Sequence, residues 1–250
     1  MRTLLIAAAL AVAVTRSAAA ADCFAPAEAG RVAGHDGFAS LRLENGPEVR
    51  LADIVPAFVG TAAPLRDGTI DAALGALIGE EVTVRRSVNA PQSDRYGRVV
   101  GDLVRKDTAA SVVHELLRQG LALVDPAVMS ETCLDALFAQ ERQAERAGRG
   151  FWQSGAVRDA GDPELADAAG SYTLVEGVVK SIGETRGAIY LNFGETYRTD
   201  FTAIVRRRDA KDWIGGLMGL KGRKVRLRGV LEAWNGALIR LEHPRQVERL

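Results

Sequence analysis

The chain has 250 residues, 47% hydrophobic and 26% charged, with 32 basic and 32 acidic side chains. This ordinary globular composition excludes a largely disordered chain and leaves room for one large or two small domains. A formal net charge of +0 excludes a uniformly basic or acidic chain, but not regions of opposite sign.

Arg2 is followed by an apolar run from Leu4 to Val14 and then by small residues up to Asp22. Eleven apolar residues are too few for a membrane span, which takes about 20, so residues 1–21 read as a secretory signal peptide. The mature start falls near Ala21 or Asp22, and the expected location is outside the cytoplasm, periplasmic or secreted, with no membrane span. Asp22 stands where lipid attachment at Cys23 would prefer a small residue, which favours a soluble exported protein over an anchored one. The only cysteines are Cys23 and Cys133, and in an oxidising compartment they are most simply one disulfide. Such a bond would close a loop of about 110 residues, for which chain entropy gives about 4–5 kcal/mol.

Residues 22–153 begin with short β-like runs, RVAGH, SLRLEN and EVRLADI, followed by an apolar-periodic helix over about 69–78. Strands EEVTVRR and GRVVGDLVR come next, then helices at 111–119 and 131–148. Ser111 starts the first of these helices and Gly120 ends it. The second carries Leu134, Leu137, Phe138, Glu141, Ala144 and Glu145 at spacings of three and four. Residues 154–170, rich in Ala, Gly and Asp, read as a linker, with a short helix at 163–169 capped by Asp162.

The same grammar returns in residues 171–250: strands at YTLVEGVVKSI, AIYLNF and DFTAIVRR, a helix over 211–220, then KVRLRGVLEA and ALIRLEH. LIGEEVTVR (Leu77 to Arg85) and LKGRKVRLR (Leu220 to Arg228) share a pattern that puts glycine just past a helix end. The expected fold class is α+β, mainly β: two small OB-like five-stranded barrels, the first with appended helices. Charge divides with them. Residues 22–153 hold 14 basic and 19 acidic side chains, whereas 171–250 hold 15 and 9.

DRYGRVVGDLV (Asp94 to Val104) resembles the thermonuclease, or staphylococcal-nuclease-like, family, in which an Asp-x-Tyr-Gly-Arg stretch delivers an active-site arginine. LRLENGPEVRLADI, SVVHELLRQGLALVDP and AQERQAERAGRGFW agree with it in order and spacing, so the resemblance covers about residues 30–153. It implies phosphodiester hydrolysis, which adds negative charge to a phosphate and calls for a carboxylate-bound calcium ion, two arginines and a glutamate base. Arg50 and Arg98 match the two arginines, whose planar forks suit the developing charge. The acidic positions are empty. The expected calcium ligands fall at Ala39 and Val55 and the general base at Phe58, with Asp53 as a weak substitute. Asp36, Glu44 and Glu48 are further acids without a matched position. No cofactor is therefore expected, calcium entering only if the site is remodelled.

His35, His114 and His243 have no metal spacing and read as structural. Tyr96 either stacks on a base or holds its loop, Trp152 packs on the first barrel, and Trp213 belongs to a core. Lys224, Arg226 and Arg228 would share one face of a strand and, with Tyr190, Phe193 or Tyr197 nearby, could track a phosphate backbone. The expectation is a protein that binds nucleic acid or another anionic partner. The alternatives are an active nuclease with a remodelled metal site and a protein-interaction module of the envelope.

Overall fold

The computed structural model describes residues 23–36, 39–57, 69–91, 93–126, 131–153, 155–196, 198–213 and 216–250. The segment expected as a signal peptide, residues 1–21, lies outside them.

The first unit is a closed five-stranded barrel in the order β1 (Phe24–His35), β2 (Ser40–Leu43), β3 (Glu48–Leu51), β6 (Val99–Arg105), β5 (Glu81–Ser87). β1 closes the ring because its start pairs with β5 and its end with β2, both antiparallel, while β3 and β6 run parallel. A two-stranded sheet of β4 (Ile54–Pro56) and β7 (Ala122–Val124) sits beside the barrel. Inward-facing Val32, Leu41, Val49, Leu51, Val82 and Leu103 fill the interior, as strand alternation requires.

Among the described residues three helices accompany the barrel: α1 (Thr69–Gly75), α2 (Val112–Gln119) and α3 (Glu131–Arg146). Ser111 caps α2 by accepting from the His114 N–H at 3.0 Å, and Gly120 ends it at φ 69°. A side chain at Gly120 would meet the Arg149 carbonyl at 2.2 Å, so glycine lets the ends of α2 and α3 meet. The Cys23–Cys133 disulfide pins the start of β1 to the first turn of α3.

β6 carries an acid on its way to α2. Asp102 is 2% exposed and accepts from the Val113 N–H at 3.2 Å. Burial pushes its carboxyl up to about 6, with Ser111, the Val113 N–H and Arg85 acting the other way. His114 is held below its usual range by burial, Arg85 and Arg118, so it stays neutral.

The second unit repeats the order of the first. β9 (Tyr172–Val178) and β10 (Ser181–Glu184) are two pieces of one bent first strand, interrupted at residues 179–180. β10 pairs with β11 (Ala188–Asn192), then β12 (Thr202–Arg206), β14 (Ala237–Leu241) and β13 (Lys224–Ala233), which returns to β9. β12 and β14 run parallel, as β3 and β6 do. The sheet thus curls around a second core that includes Leu191, Phe193, Val205, Leu227, Ile239 and the buried Trp213. The matching Leu77 and Leu220 segments lead into equivalent strands, with Gly79 at φ 86° and Gly222 at φ 75°.

Three departures from the sequence expectation have physical causes. The helix expected over 211–220 is two 3-10 turns, Ala210–Trp213 and Met218–Leu220, in a stretch where glycines at 215, 216 and 219 disfavour a continuous helix. The stretch expected as a linker contains β8 (Arg158–Asp159), which pairs with β9, and a turn whose Leu165 and Ala168 enter the second core. Asp162 does not cap that turn, whose N-cap position is Glu164 and carries no side-chain bond; it accepts from the Glu164 N–H at 2.9 Å just ahead of it. The chain ends in β15 (Val247–Arg249), paired with β13.

The two units meet along α3. Arg228, 1% exposed, donates through Nη2 to Glu141 Oε1 at 2.8 Å and through Nη1 to Glu141 Oε2 at 3.1 Å and the Val124 carbonyl at 3.0 Å. Glu141 also accepts from the Val124 N–H at 2.6 Å. Further along the helix, Arg226 meets Glu145 at 2.8 Å, and Arg245 meets Glu131 at 3.0 Å and Asp135 at 2.7 Å. An apolar cluster of Ala57, Leu123, Phe151, Tyr172 and Leu174 closes the seam from the other side.

Two outcomes follow for stability. Folded Asp102 keeps its proton to about pH 6, whereas the unfolded side chain releases it near 3.8, so stability falls as pH rises through that window. Asp102→Asn is expected to remove a slope worth on the order of 2–3 kcal/mol, read from urea unfolding at a series of pH values. Glu141→Leu strands Arg228 and is expected to destabilise by about 3–5 kcal/mol, with much of the loss recovered when Arg228→Met is added. A double-mutant cycle by denaturant unfolding checks this.

Candidate functional site

The two arginines matched by sequence come together at one end of the first barrel. Arg50 sits on β3 opposite Ser40 of β2, and Arg98 donates through Nη1 to the buried Ser40 Oγ at 2.9 Å. The tight Asp94 turn sets this position, because Asp94 Oδ1 accepts from the Tyr96 and Arg98 N–H groups at 2.9 and 3.0 Å.

Arg98 is held by carboxylates. Its Nε and Nη2 both lie 2.8 Å from Asp94 Oδ2, with Asp36 at 3.7 Å and Glu48 at 3.9 Å. Partial burial opposes charge on Asp94, yet the Arg98 side chain and the two backbone N–H groups outweigh it and hold the carboxyl below its usual range. Of the acids without a matched position, Asp36 and Glu48 therefore surround a guanidinium, and Glu44 lies 3.9 Å from Arg31. Tyr96 is 65% exposed, with the guanidinium carbons of Arg95 and Arg98 at 4.7 and 5.1 Å from its ring centre. Tyr96 thus belongs to the turn through its backbone N–H and leaves its ring exposed beside two guanidinium groups.

At two of the acidic positions, Ala39 and Val55, the side chain is apolar and touches an apolar cluster, while Val55 also lines a cavity with Asp125 and Arg240. Ala39 is buried at 2% exposure at φ 66° and belongs to the first core. Val55 lies on β4 opposite Leu123 and packs against the apolar cluster at the seam. Calcium takes six to eight oxygen ligands, and neither position can supply one from its side chain. The residues present do not fit the family's calcium ion. Among the described residues no group of three or more His, Cys, Asp or Glu is arranged to hold a metal. Phe58, matched to the general base, lies outside the described residues.

Asp53 does not continue the strand. The chain turns at Ala52–Asp53 between β3 and β4, leaving Asp53 at φ 54° and 2% exposure, its carbonyl accepting from the Asp125 N–H at 2.9 Å. Asp125 itself lines a cavity of about 530 Å³ between the units, with Val55, Tyr172, Val230 and Arg240. Burial raises the Asp125 carboxyl, with the Tyr172 hydroxyl and Arg50 acting the other way. Burial and the nearby Asp125 keep the Tyr172 hydroxyl protonated, and it donates to the Val124 carbonyl at 2.9 Å.

The cationic face expected on β13 requires correction. Lys224, Arg226 and Arg228 do share one side of the strand, but that side meets α3 and β9. Arg226 and Arg228 are 9% and 1% exposed, and Lys224 stays half-exposed while pairing with Glu176 at 2.9 Å. Their charge serves the seam: Arg226 also meets Glu176 at 2.7 Å and stands 5.5 Å over the Trp152 ring. Phe193 is buried in the second core, and Tyr197 lies outside the described residues. His35 is near Asp71 at 4.0 Å and His243 caps a turn, which agrees with their structural reading. Glu141 is a seam residue that the sequence reading missed; its place beside Leu134, Leu137 and Phe138 on α3 was the signal that could have found it.

A closed five-stranded barrel with two arginines converging at one end, flanked by helices, belongs to the OB-like barrels. More narrowly, residues 72–154 match the family described as Staphylococcal nuclease homologue, so this segment is staphylococcal-nuclease-like. The matched stretch contains Arg98, α2 and α3, and begins after Arg50 and Val55. No curated protein matches the chain.

Val55→Asp would place a carboxylate against Leu123 and its apolar neighbours. It is expected to lower stability by about 1–3 kcal/mol and to gain no protection from calcium. Thermal unfolding with calcium and with chelator checks both.

Proposed function

We propose that the protein is an exported, nuclease-like nucleic-acid-binding protein that does not use the calcium-dependent hydrolysis of its family. The observation carrying this reading is the split at the first barrel. Arg50 and Arg98 are retained, while Ala39 and Val55 are packed into apolar clusters where the hydrolytic reaction needs oxygen ligands. Arg50 and the open face of Tyr96 offer a phosphate and a base or sugar the contacts they require. The apolar leader and the Cys23–Cys133 bond support export.

A second reading, an envelope protein-interaction module, is favoured by the carboxylates around Arg98, which compete with any phosphate for the guanidinium.

Incubation with single- and double-stranded DNA and RNA, in calcium or chelator, separates these readings. Binding without cleavage, weakening steeply with salt and reduced several-fold by Arg50→Ala, is expected. Metal-dependent cleavage abolished by Arg98→Ala would establish a remodelled nuclease instead, and the absence of both binding and cleavage would leave the interaction module.

A further inference from the structure

The cavity between the units holds about 530 Å³, within the range of about 300–1,000 Å³ that small-molecule sites occupy. Its walls come from both barrels. Val55 and Pro56 of β4 form one apolar side, and Val230, 50% exposed and paired with Tyr172 across β13 and β9, forms another. Asp125, Glu232, Glu242 and Arg240 supply the charge, three carboxylates to one guanidinium.

The guanidinium is already committed. Arg240 donates through Nε and Nη2 to the two oxygens of Glu232, at 2.8 and 3.0 Å. Glu242 meets Arg206 through one oxygen, Oε1, at 2.9 Å, and its side chain is 64% exposed at the open side of the cavity. Asp125 is the deeper acid and the least compensated. A tyrosine hydroxyl carries one proton, and Tyr172 gives it to the Val124 carbonyl at 2.9 Å, so the Asp125 carboxyl competes for it. The other charged groups facing Asp125 are Asp53, of the same sign, Arg50 on β3, and Arg228, which is held by Glu141. Burial outweighs these cations and raises the carboxyl, so a further positive charge at this point has a partner to meet.

We propose that this cavity binds a small aliphatic diamine, with one ammonium at Asp125, the methylene chain along Val55, Pro56 and Val230, and the second ammonium at Glu242. The inference goes beyond the nucleic-acid reading and is independent of it. Acids at two depths with apolar surface between them match a ligand charged at both ends and greasy in the middle. Three carboxylates in the lining oppose a phosphate or a carboxylate ligand. A hard metal ion fits no better, since calcium takes six to eight oxygens while Glu232 and Glu242 already hold arginines and Val55, Pro56 and Val230 offer no side-chain ligand.

The test is isothermal titration calorimetry of the full chain with putrescine, cadaverine and spermidine. Cadaverine is expected to bind more tightly than pentylamine, which lacks the second ammonium, and Glu242→Gln should weaken the diamine while leaving pentylamine unchanged. Asp125→Asn, nearly isosteric, is expected to weaken every amine by about tenfold or more, with thermal unfolding as the check that the fold survives. An ammonium favours the ionised carboxyl, so wild-type affinity should fall as pH falls through the titration of Asp125, and binding in that range should release a proton. Both effects should vanish in Asp125→Asn. Failure of every amine to bind, or binding that Asp125→Asn leaves unchanged, overturns the proposal. Preference for a nucleoside monophosphate over all the amines assigns an anionic ligand and overturns it too. Binding by a lysine-containing peptide alone replaces the free diamine with a protein partner. None of these outcomes alters the oligonucleotide assay, which reads nucleic-acid binding separately.

Discussion

Removing a guanidinium and a carboxylate from water costs several kcal/mol for each ion, and their attraction offsets this only when every donor and lone pair finds a partner. Arg228 and Glu141 come close to that condition where the two barrels touch, with both Nη atoms and both carboxylate oxygens engaged and each side chain also hydrogen-bonded to the backbone of Val124. The pair adds little net stability compared with a well-packed apolar substitute. What it does is penalise misplacement: a second barrel rotated or shifted along α3 would leave one of the two charges buried alone. Arg226 and Arg245, each meeting acids on other turns of the same helix, extend that constraint over nearly its whole length.

This arrangement accounts for the opposite charges of the two halves. Much of the excess acid of residues 22–153 and of the excess base of 171–250 faces across one internal contact, so regional charge is a poor guide to external partners until that contact is subtracted. The same contact explains the neighbourhood of Val55. β4 forms one wall of the seam, and an ionised aspartate there would sit against Leu123 and the apolar cluster that holds the second barrel. The second unit thus packs beside Val55, one of the two positions where the resemblance expects a calcium ligand.

Much of the fold was legible in the sequence because local chemistry agreed with the global structure. Ser111 and Gly120 bounded α2, the Leu77 and Leu220 segments announced equivalent strands, and the two cysteines formed a disulfide. The failures have a common origin in long-range contact. Strand alternation placed Lys224, Arg226 and Arg228 on one side, but it could not say that α3 covers that side. The apolar period around Trp213 did not reveal that glycines would break the helix into turns. β4 and β7 are three residues each, and each is stabilised by pairing with the other across a long stretch of chain. Glu141 was missed in the same way: it stood in the period of α3 beside Leu137, Phe138 and Ala144, and nothing local said that Arg228 would meet it.

The position of Cys133 anchors the seam to the start of the first barrel. The disulfide fixes the first turn of α3, between Glu131 and Asp135, to the start of β1, the earliest stretch of the described chain to emerge. The second barrel is made last, and its buried Arg228 has nowhere to go until Glu141 is in place. The first unit therefore supplies the carboxylate that the buried cation of the second requires. A chain interrupted anywhere before Arg228 would leave α3 with an uncovered acidic and apolar face, a surface that quality-control proteases can read as unfinished work.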